Sequence, residues 1–392
     1  MRRDNMRPLF ARPIYIAAIG LTPVGEHWET GLRQLALEAI LAAQQDLAQR
    51  AGTTTPRPEA LFVGNMLAGQ LSGQEHLGAL VADYAGLRGI EAITTEAAGA
   101  SGGAALRQAV LAIGAGQIDT ALVVGVEKMT DMVGSGMTAA TATASDTDWE
   151  AAQGATPTAL AALLIQRYMS THGAALAEFA SFTVNAHANA KTNPHAMFRN
   201  TITAEAYARA GMVADPVNMF DAAPDADGAA ALIVTAEPSA VQVLASAVAT
   251  DTLALHDRGN LLEFDAARLA TERAYQQAGL GPNDIDLFEL HDAFTVFAAL
   301  SLEAAGFAPY GQGIRLAGGD IARTGRIPIA TFGGLKARGN PAGASGVYQL
   351  AELVQQLRGE AGPNQVAKAK IGMAQCLGGA GATAVTHILG RA

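Results

Sequence analysis

One cysteine, Cys376, occurs in 392 residues, and aromatic residues make up only 5 % of the chain. A single thiol excludes a disulfide framework within the monomer and leaves no cysteine cluster to hold zinc. No run of about 20 uninterrupted apolar residues is present, which is the length a helix needs to span a bilayer. Charged residues are sparse at 16 %, and 26 Lys and Arg against 36 Asp and Glu give a net charge of −10. That sign opposes general binding to a phosphate backbone, although a few local cations would suffice for a small phosphorylated ligand. Met1–Arg7 is basic, but Pro8, Arg12 and Pro13 interrupt the residues after it. This stretch reads as a short arm without a signal core, and the cytoplasm is the expected location.

Apolar residues are abundant at 50 %, with much alanine and 43 glycines. This composition suits closely packed helices and strands, and the length allows two or three domain cores. Ile14–Ile19, Glu59–Gly64 and Thr120–Gly125 read as strands, and Thr30–Ala48 and Gly102–Ile113 as helices. Strands alternating with longer helices indicate α/β architecture. The second half echoes the first. Asp286–Leu290 resembles Ala60–Gly64, Asn340–Gly346 opens a helix as Gly99–Gly103 does, and Asp227–Val234 resembles Gly381–Ile388. These echoes predict two similar halves. Between Asp131 and about Val217 the rhythm breaks, which predicts a mostly helical insertion.

The run Glu96-Ala97-Ala98-Gly99-Ala100-Ser101-Gly102-Gly103 has the form of a nucleophile turn without a nucleophile. A helix opening on small residues lets a ligand approach free N–H groups that favour developing negative charge. Gly99 reads either as part of such a pocket or as a turn that needs glycine. His291 follows an apolar strand, where α/β folds open their crevices, and a neutral imidazole there donates to an oxygen or exchanges a proton. The alternative is a satisfied structural histidine. The Gly-rich loops lack the spacing of a dinucleotide fingerprint or a P-loop.

Four motifs in order carry a family resemblance: the Gly99 run, His291-Asp292-Ala293-Phe294, Gly333-Gly334-Leu335-Lys336-Ala337-Arg338-Gly339-Asn340-Pro341, and Cys376-Leu377-Gly378-Gly379-Ala380-Gly381. With general similarity from about Ile14 to Leu389, the chain resembles the archaeal and SCP2-like branch of the thiolase superfamily. Gly99 stands where the nucleophilic cysteine would be, and Asn340 where the family has the histidine of Gly-His-Pro.

The resemblance implies a duplicated five-layer αβαβα fold. One half spans residues 11–130 plus 218–247, the other 248–392, and a loop domain over 131–217 covers the site. It also implies an oxyanion hole from the N–H groups of Gly99 and Gly378, and a second from Asn340 and His291. Cys376 matches the family's proton-shuttling cysteine, which makes His291, Cys376 and Asn340 the candidate catalytic residues, although free cysteines are also commonly buried and inert. Ala293 replaces a cysteine that often serves SCP2-type enzymes as acid/base. His187 is a candidate for the substrate channel or a surface or capping histidine. Lys336 and Arg338 face either coenzyme A phosphates or solvent.

No permanently bound cofactor or metal is expected, with a coenzyme A thioester as substrate. A homodimer is expected to form through strands following the Gly99 region. A small OB-fold, zinc-ribbon protein is the expected further partner, and any zinc would belong to it. Glycine cannot form an acyl-enzyme and an amide cannot act as a base. Aldol or retro-aldol cleavage of an acyl-CoA through an enolate therefore leads. A thiolase-like acyltransferase, with Cys376 as acyl carrier, and a non-catalytic acyl-CoA-binding subunit are the alternatives.

Overall fold

The computed structural model describes residues 12–51, 57–132, 134–316 and 318–392, so the basic Met1–Arg7 arm lies outside the described residues. The first half runs β1 (Tyr15–Leu21), α1 (Leu32–Ala51), β2 (Ala60–Gly64), α2 (Ala68–Leu71), α3 (Leu77–Tyr84), β3 (Glu91–Thr95), α4 (Ser101–Gly114) and β4 (Thr120–Glu127). An inserted region comes next, with α5 (Ser135–Ala142), α6 (Pro157–His172), α7 (Ala180–Ala190), α8 (Ala204–Ala208) and a hairpin of β5 (Met212–Ala214) and β6 (Val217–Asn218). The chain then returns through β7 (Gly228–Thr235), β8 (Val241–Thr250), α9 (Asp265–Ala278), β9 (Leu287–Glu289), α10 (Thr295–Ala304), α11 (Ser345–Arg358), β10 (Ile371–Gly378) and β11 (Thr383–Arg391).

Hydrogen bonding sets the strand order β3-β2-β4-β7-β1-β8-β11-β10-β9. The two halves of this sheet meet where Tyr15 and Ile16 pair with Gln242 and Val241 and the Val243 N–H donates to the Ile14 carbonyl. In the first half β2 runs parallel to β3 and β4, and β7 runs antiparallel to β4 and β1. In the second, β10 runs parallel to β9, and β11 runs antiparallel to β10 and β8. Strands β8, β9, β10 and β11 thus repeat β1, β2, β4 and β7 in direction and neighbours, and a parallel bridge from Phe288 to Ile329 stands where β3 stands in the first half. The duplication is real, and each pair of segments that echoed in sequence occupies matching places.

Burial explains the composition. Every residue of β4 and β7 is buried, as expected when both faces of a sheet are covered and the strand reads as a continuous apolar run. Helices α4 and α11 form the middle layer between the two halves of the sheet, with α1 and α3 outside one half and α9 and α10 outside the other. The two middle helices touch through glycine. A Cβ on Gly102 would lie 2.9 Å from the Val347 nitrogen, and one on Gly346 2.6 Å from that of Gly103. Any side chain there would force the layer apart.

Two expectations change. β8 begins at Val241, so the second half starts before residue 248, and the expected boundary at 247 cuts its first strand. β4, the strand after the Gly99 helix, has β2 and β7 on its two edges and offers no pairing edge to a second copy. The outer strand is β3, which precedes Gly99 and carries Ile93, 46 % exposed. Among the described residues, no helix is long and apolar enough to cross a membrane.

Candidate active site

A cavity of about 340 Å³ opens where the insertion meets the junction of the halves. Its floor comes from segments that leave the carboxyl ends of strands: Met66 after β2, Gly99 after β3, Met129 after β4, His291 after β9, and Leu377–Ala380 at the end of β10. Parallel strands end together, so their connecting segments converge on one crevice. Met137, Thr141, Leu160 and Val213 of the insertion supply the roof. Gly99 precedes α4 and Asn340 precedes α11, so both middle helices aim their N-termini at this space. Unpaired N–H groups and the helix dipoles make that end favourable for a developing oxyanion.

The Gly99 turn is tightly held. Ala98 has φ of +50°, a left-handed conformation that costs a non-glycine residue about 1 kcal/mol. The Ser101 hydroxyl donates to the Ala98 carbonyl at 2.6 Å and accepts from the Ala97 N–H at 2.9 Å, and Glu96 accepts from the Ala98 N–H at 2.6 Å. Gly99 has no room for a side chain. A Cβ there would lie 2.7 Å from the Leu377 carbonyl oxygen and 2.9 Å from Cε1 of His291. The imidazole edge fills the place that a nucleophile would occupy.

His291 is 5 % exposed, and burial, with Arg338 adding to it, pushes its pKa down to about 3. The ring is therefore neutral at physiological pH. Nδ1 is buried without a partner, and an orphaned lone pair is tolerated better than an orphaned N–H. The proton accordingly sits on Nε2, making it a donor beside the cavity. Asn340 is oriented by the Ser345 hydroxyl, which donates to Oδ1 at 2.8 Å. Its amide N–H groups are then left for the cavity. Nearby, Glu127 accepts from the N–H groups of Met66, Leu67 and Gly343 and from the Asn65 amide, tying the β2 loop to the Asn340 turn. Burial, which outweighs these bonds, pushes its pKa up to about 7.

Gly99, His291 and Asn340 therefore share one cavity wall. Gly378 lies between the lining residues Leu377 and Gly379, and its missing side chain makes room for the Ala97 carbonyl, 2.5 Å from the place of a Cβ. Cys376 does not join them. It faces away from the cavity, packs with Ala100 and Val385, and is 0 % exposed. Its sulfur sits in the notch between Gly103 and Gly346 and donates to Gln349 Oε1 at 3.1 Å. Burial pushes the thiol up to about 12. The expected proton-transfer role is corrected to a packing role. Iodoacetamide is expected to leave the native protein unlabelled at pH 8 and to label it at once in denaturant, as read by intact mass. Cys376→Ala is expected to cost about 1–3 kcal/mol of stability by orphaning Gln349, with turnover unchanged.

Three other candidates also move. Arg338 is fully buried, paired with Glu352 at 2.8 Å and set against the Tyr348 ring at 4.9 Å, so it meets no coenzyme phosphate. Lys336 is 5 % exposed and donates to the Ala222 carbonyl at 2.6 Å. Burial pulls its pKa down to about 8, against the attraction of Asp292 and Asp221. His187 is buried off the cavity, where Nδ1 bonds the Asn200 carbonyl oxygen at 2.9 Å and the ring stacks with Phe198.

The sequence reading missed Asp225, an acid exposed on the cavity wall whose carboxyl is pushed up to about 6 by desolvation from the protein around it. Its signal was present in the acid-rich run Asp221-Ala222-Ala223-Pro224-Asp225-Ala226-Asp227, directly before β7. Among the described residues, no group of three or more His, Cys, Asp or Glu side chains is placed to hold a metal.

Two stacked α/β halves share a cavity at two helix N-termini, an arrangement that favours negative charge there. The chain belongs to the thiolase family: residues 14–238 match the thiolase N-terminal domain and residues 247–391 the thiolase C-terminal domain-like family. It is 43 % identical to an acetyl-CoA acetyltransferase of Methanothermobacter thermautotrophicus over 97 % of this chain and 100 % of that one. It is 32 % identical to the benzoylsuccinyl-CoA thiolase subunit BbsB of Thauera aromatica over 91 % of each chain. Among solved structures, the Ltp2-ChsH2(DUF35) aldolase superposes with a TM-score of 0.84 at 24 % identity, covering 98 % of this chain and 99 % of that one. Human mitochondrial 3-ketoacyl-CoA thiolase in complex with CoA gives 0.73 at 17 % identity, covering 97 % and 98 %. At these identities the structural likenesses establish the fold.

Proposed function

We propose that the protein binds a coenzyme A thioester and makes or breaks the C2–C3 bond of its acyl chain through an enolate, most simply as an aldolase. The observation that carries this reading is the His291 ring over Gly99: the place of an acyl-carrying side chain is filled by an oxyanion donor. Asn340 Nδ2 and His291 Nε2 hold the thioester oxygen as charge develops, and the Gly99 and Gly378 N–H groups support a second acceptor position. Acyl transfer is the reading favoured by the 43 % identical acetyltransferase. It requires a thioester to the protein, for which the described cavity wall has no thiol.

The expected assembly is a homodimer formed at the exposed edge of β3, working in the cytoplasm with a small OB-fold, zinc-ribbon partner and without a resident cofactor. To test the function, the protein is incubated with 3-hydroxyacyl-, 3-ketoacyl- and saturated acyl-CoA panels, with and without proteins encoded beside it. Cleavage of the hydroxyacyl substrates to an acyl-CoA and a carbonyl compound, with unchanged protein mass, is the expected result. A protein-bound acyl group consumed at the turnover rate would make it an acyltransferase. Binding without turnover under every condition would make it a binding subunit.

A further inference from the structure

We infer that Asp225 is the acid–base residue of this site, moving the proton between the 3-hydroxyl and carbon 2 of the acyl chain; the role rests on the enolate reading above. Geometry sets Asp225 apart from its neighbours. Asp221 accepts from the Tyr207 and Thr295 hydroxyls and the Asn218 N–H. Asp227 accepts from Lys128, the Thr130 hydroxyl and the Met129 N–H. Among the described residues, the Asp225 carboxylate has no donor, and it lines the cavity.

Its position is fixed by backbone. Ala223 N–H donates to the Ala293 carbonyl at 2.8 Å, and Asn340 N–H to the Pro224 carbonyl at 3.0 Å. The 222–225 segment is thereby stitched between the His291 loop and the Asn340 turn, with bridges from Ala222 to Phe294 and from Asp225 to Asn340. The acid thus lines the cavity beside Asn340, on a segment tied to the loop that carries His291. His291, the other titratable group in the lining, is held neutral by burial. Behind the wall, the Lys128–Asp227 pair is closed at 2.7 Å, while Asp221 is satisfied by its donors and Lys336 by the Ala222 carbonyl. Desolvation by the surrounding protein lifts Asp225 to about 6 while its side chain stays open to the cavity, which suits an acid–base group working near neutrality.

The steps balance without an oxidant or a further reactant. The Asp225 carboxylate takes the 3-hydroxyl proton, and the O–H pair becomes the new C=O bond. The C2–C3 bond breaks, and its electrons enter the thioester as an enolate held by Asn340 and His291. Protonated Asp225 then gives the proton to C2, releasing an acyl-CoA and an aldehyde or ketone. The base form predominates above about pH 6, so cleavage falls off below that value.

The test compares wild type, Asp225→Asn and Asp225→Glu by two readouts. One is cleavage of 3-hydroxybutanoyl-CoA. The other is deuterium uptake at C2 of butanoyl-CoA in D₂O, which needs a base but no aldol substrate. Asp225→Asn is expected to slow C2 exchange by about a hundredfold or more and to abolish the limb near pH 6, with butanoyl-CoA affinity held by calorimetry. Partial recovery in Asp225→Glu supports an acid–base role over a structural one. Exchange without cleavage in wild type would overturn the aldol reading and leave Asp225 as base. Equal exchange in wild type and Asp225→Asn would overturn the Asp225 role alone. Absence of both readouts in wild type would overturn the enolate reading and this assignment together.

Discussion

Replacing Arg338 with methionine is expected to destabilise the protein by about 3–5 kcal/mol, because it strands a buried carboxylate. Arg338 is 0 % exposed and Glu352 2 %, and among the described residues the guanidinium is the only cation paired with the Glu352 carboxylate. Glu289 lies in the same cluster. Burial raises the pKa of both acids, and each also feels the other carboxylates nearby, while Arg338 pulls both down. Without Arg338 their folded-state pKa values rise further above the unfolded ones. Such groups add stability below their unfolded pKa, and that stability is lost as pH rises through the folded value. The deficit of Arg338→Met should therefore shrink between pH 8 and pH 5. Paired urea melts at the two pH values measure it, and adding Glu352→Leu should recover most of the loss at pH 8. A deficit that does not change with pH would mean that lost packing, rather than stranded charge, dominates.

Gly99→Cys is expected to remove the native activity without creating a thiolase. The new Cβ must displace the Leu377 carbonyl or the His291 ring, since it would lie 2.7 and 2.9 Å from them. Backbone yields less readily than a ring, so His291 is driven out of line and one oxyanion donor is lost, worth about 3 kcal/mol or a hundredfold in rate. Asn340 cannot deprotonate the new thiol. Exchange at C2 of butanoyl-CoA should fall by about that factor, and acetoacetyl-CoA thiolysis should stay at background. Vigorous thiolysis by this single variant would show that a base of the cavity, Asp225 included, reaches and activates the new thiol, and the role given to His291 would fail.

The duplicated architecture was legible because it depends on continuous patterns. The echoes of Ala60–Gly64 and Asp227–Val234 cover nearly whole strands and that of Gly99–Gly103 the opening of a helix, and elements at matching places carry matching apolar runs. Gly99, His291 and Asn340 were legible because each sits in a motif at a strand or helix end, and such ends converge. Cys376 was misread for a reason that motif matching cannot see. Neighbouring residues on a strand face opposite ways; Leu377 lines the cavity while Cys376 packs against the glycines of α4 and α11. A motif fixes chain position, whereas the face depends on strand phase. Lys336 and Arg338 were misread because cations in a Gly-rich loop suggest solvent, yet this loop folds inward beneath α11. Asp225 was missed because an acid beside two other acids looks like a solvated turn; only the packing separates the two that are tied down from the one that is free.

The placement of β1 has a consequence for synthesis. Its hydrogen-bonding partners are β7 and β8, and Tyr15 pairs with Thr235 and Gln242. A ribosome adding about 5–20 residues per second needs roughly 10–45 s to supply those partners. Through that interval the face carrying Ile14, Ile16 and Ile19, which packs in the finished protein against α4 and α11, lacks α11, and α1 covers only the opposite face at Ala18; the strands that flank β1 do not yet exist. The opening segment must wait for its neighbours, so the time during which it stays soluble is set by the distance along the chain to β7.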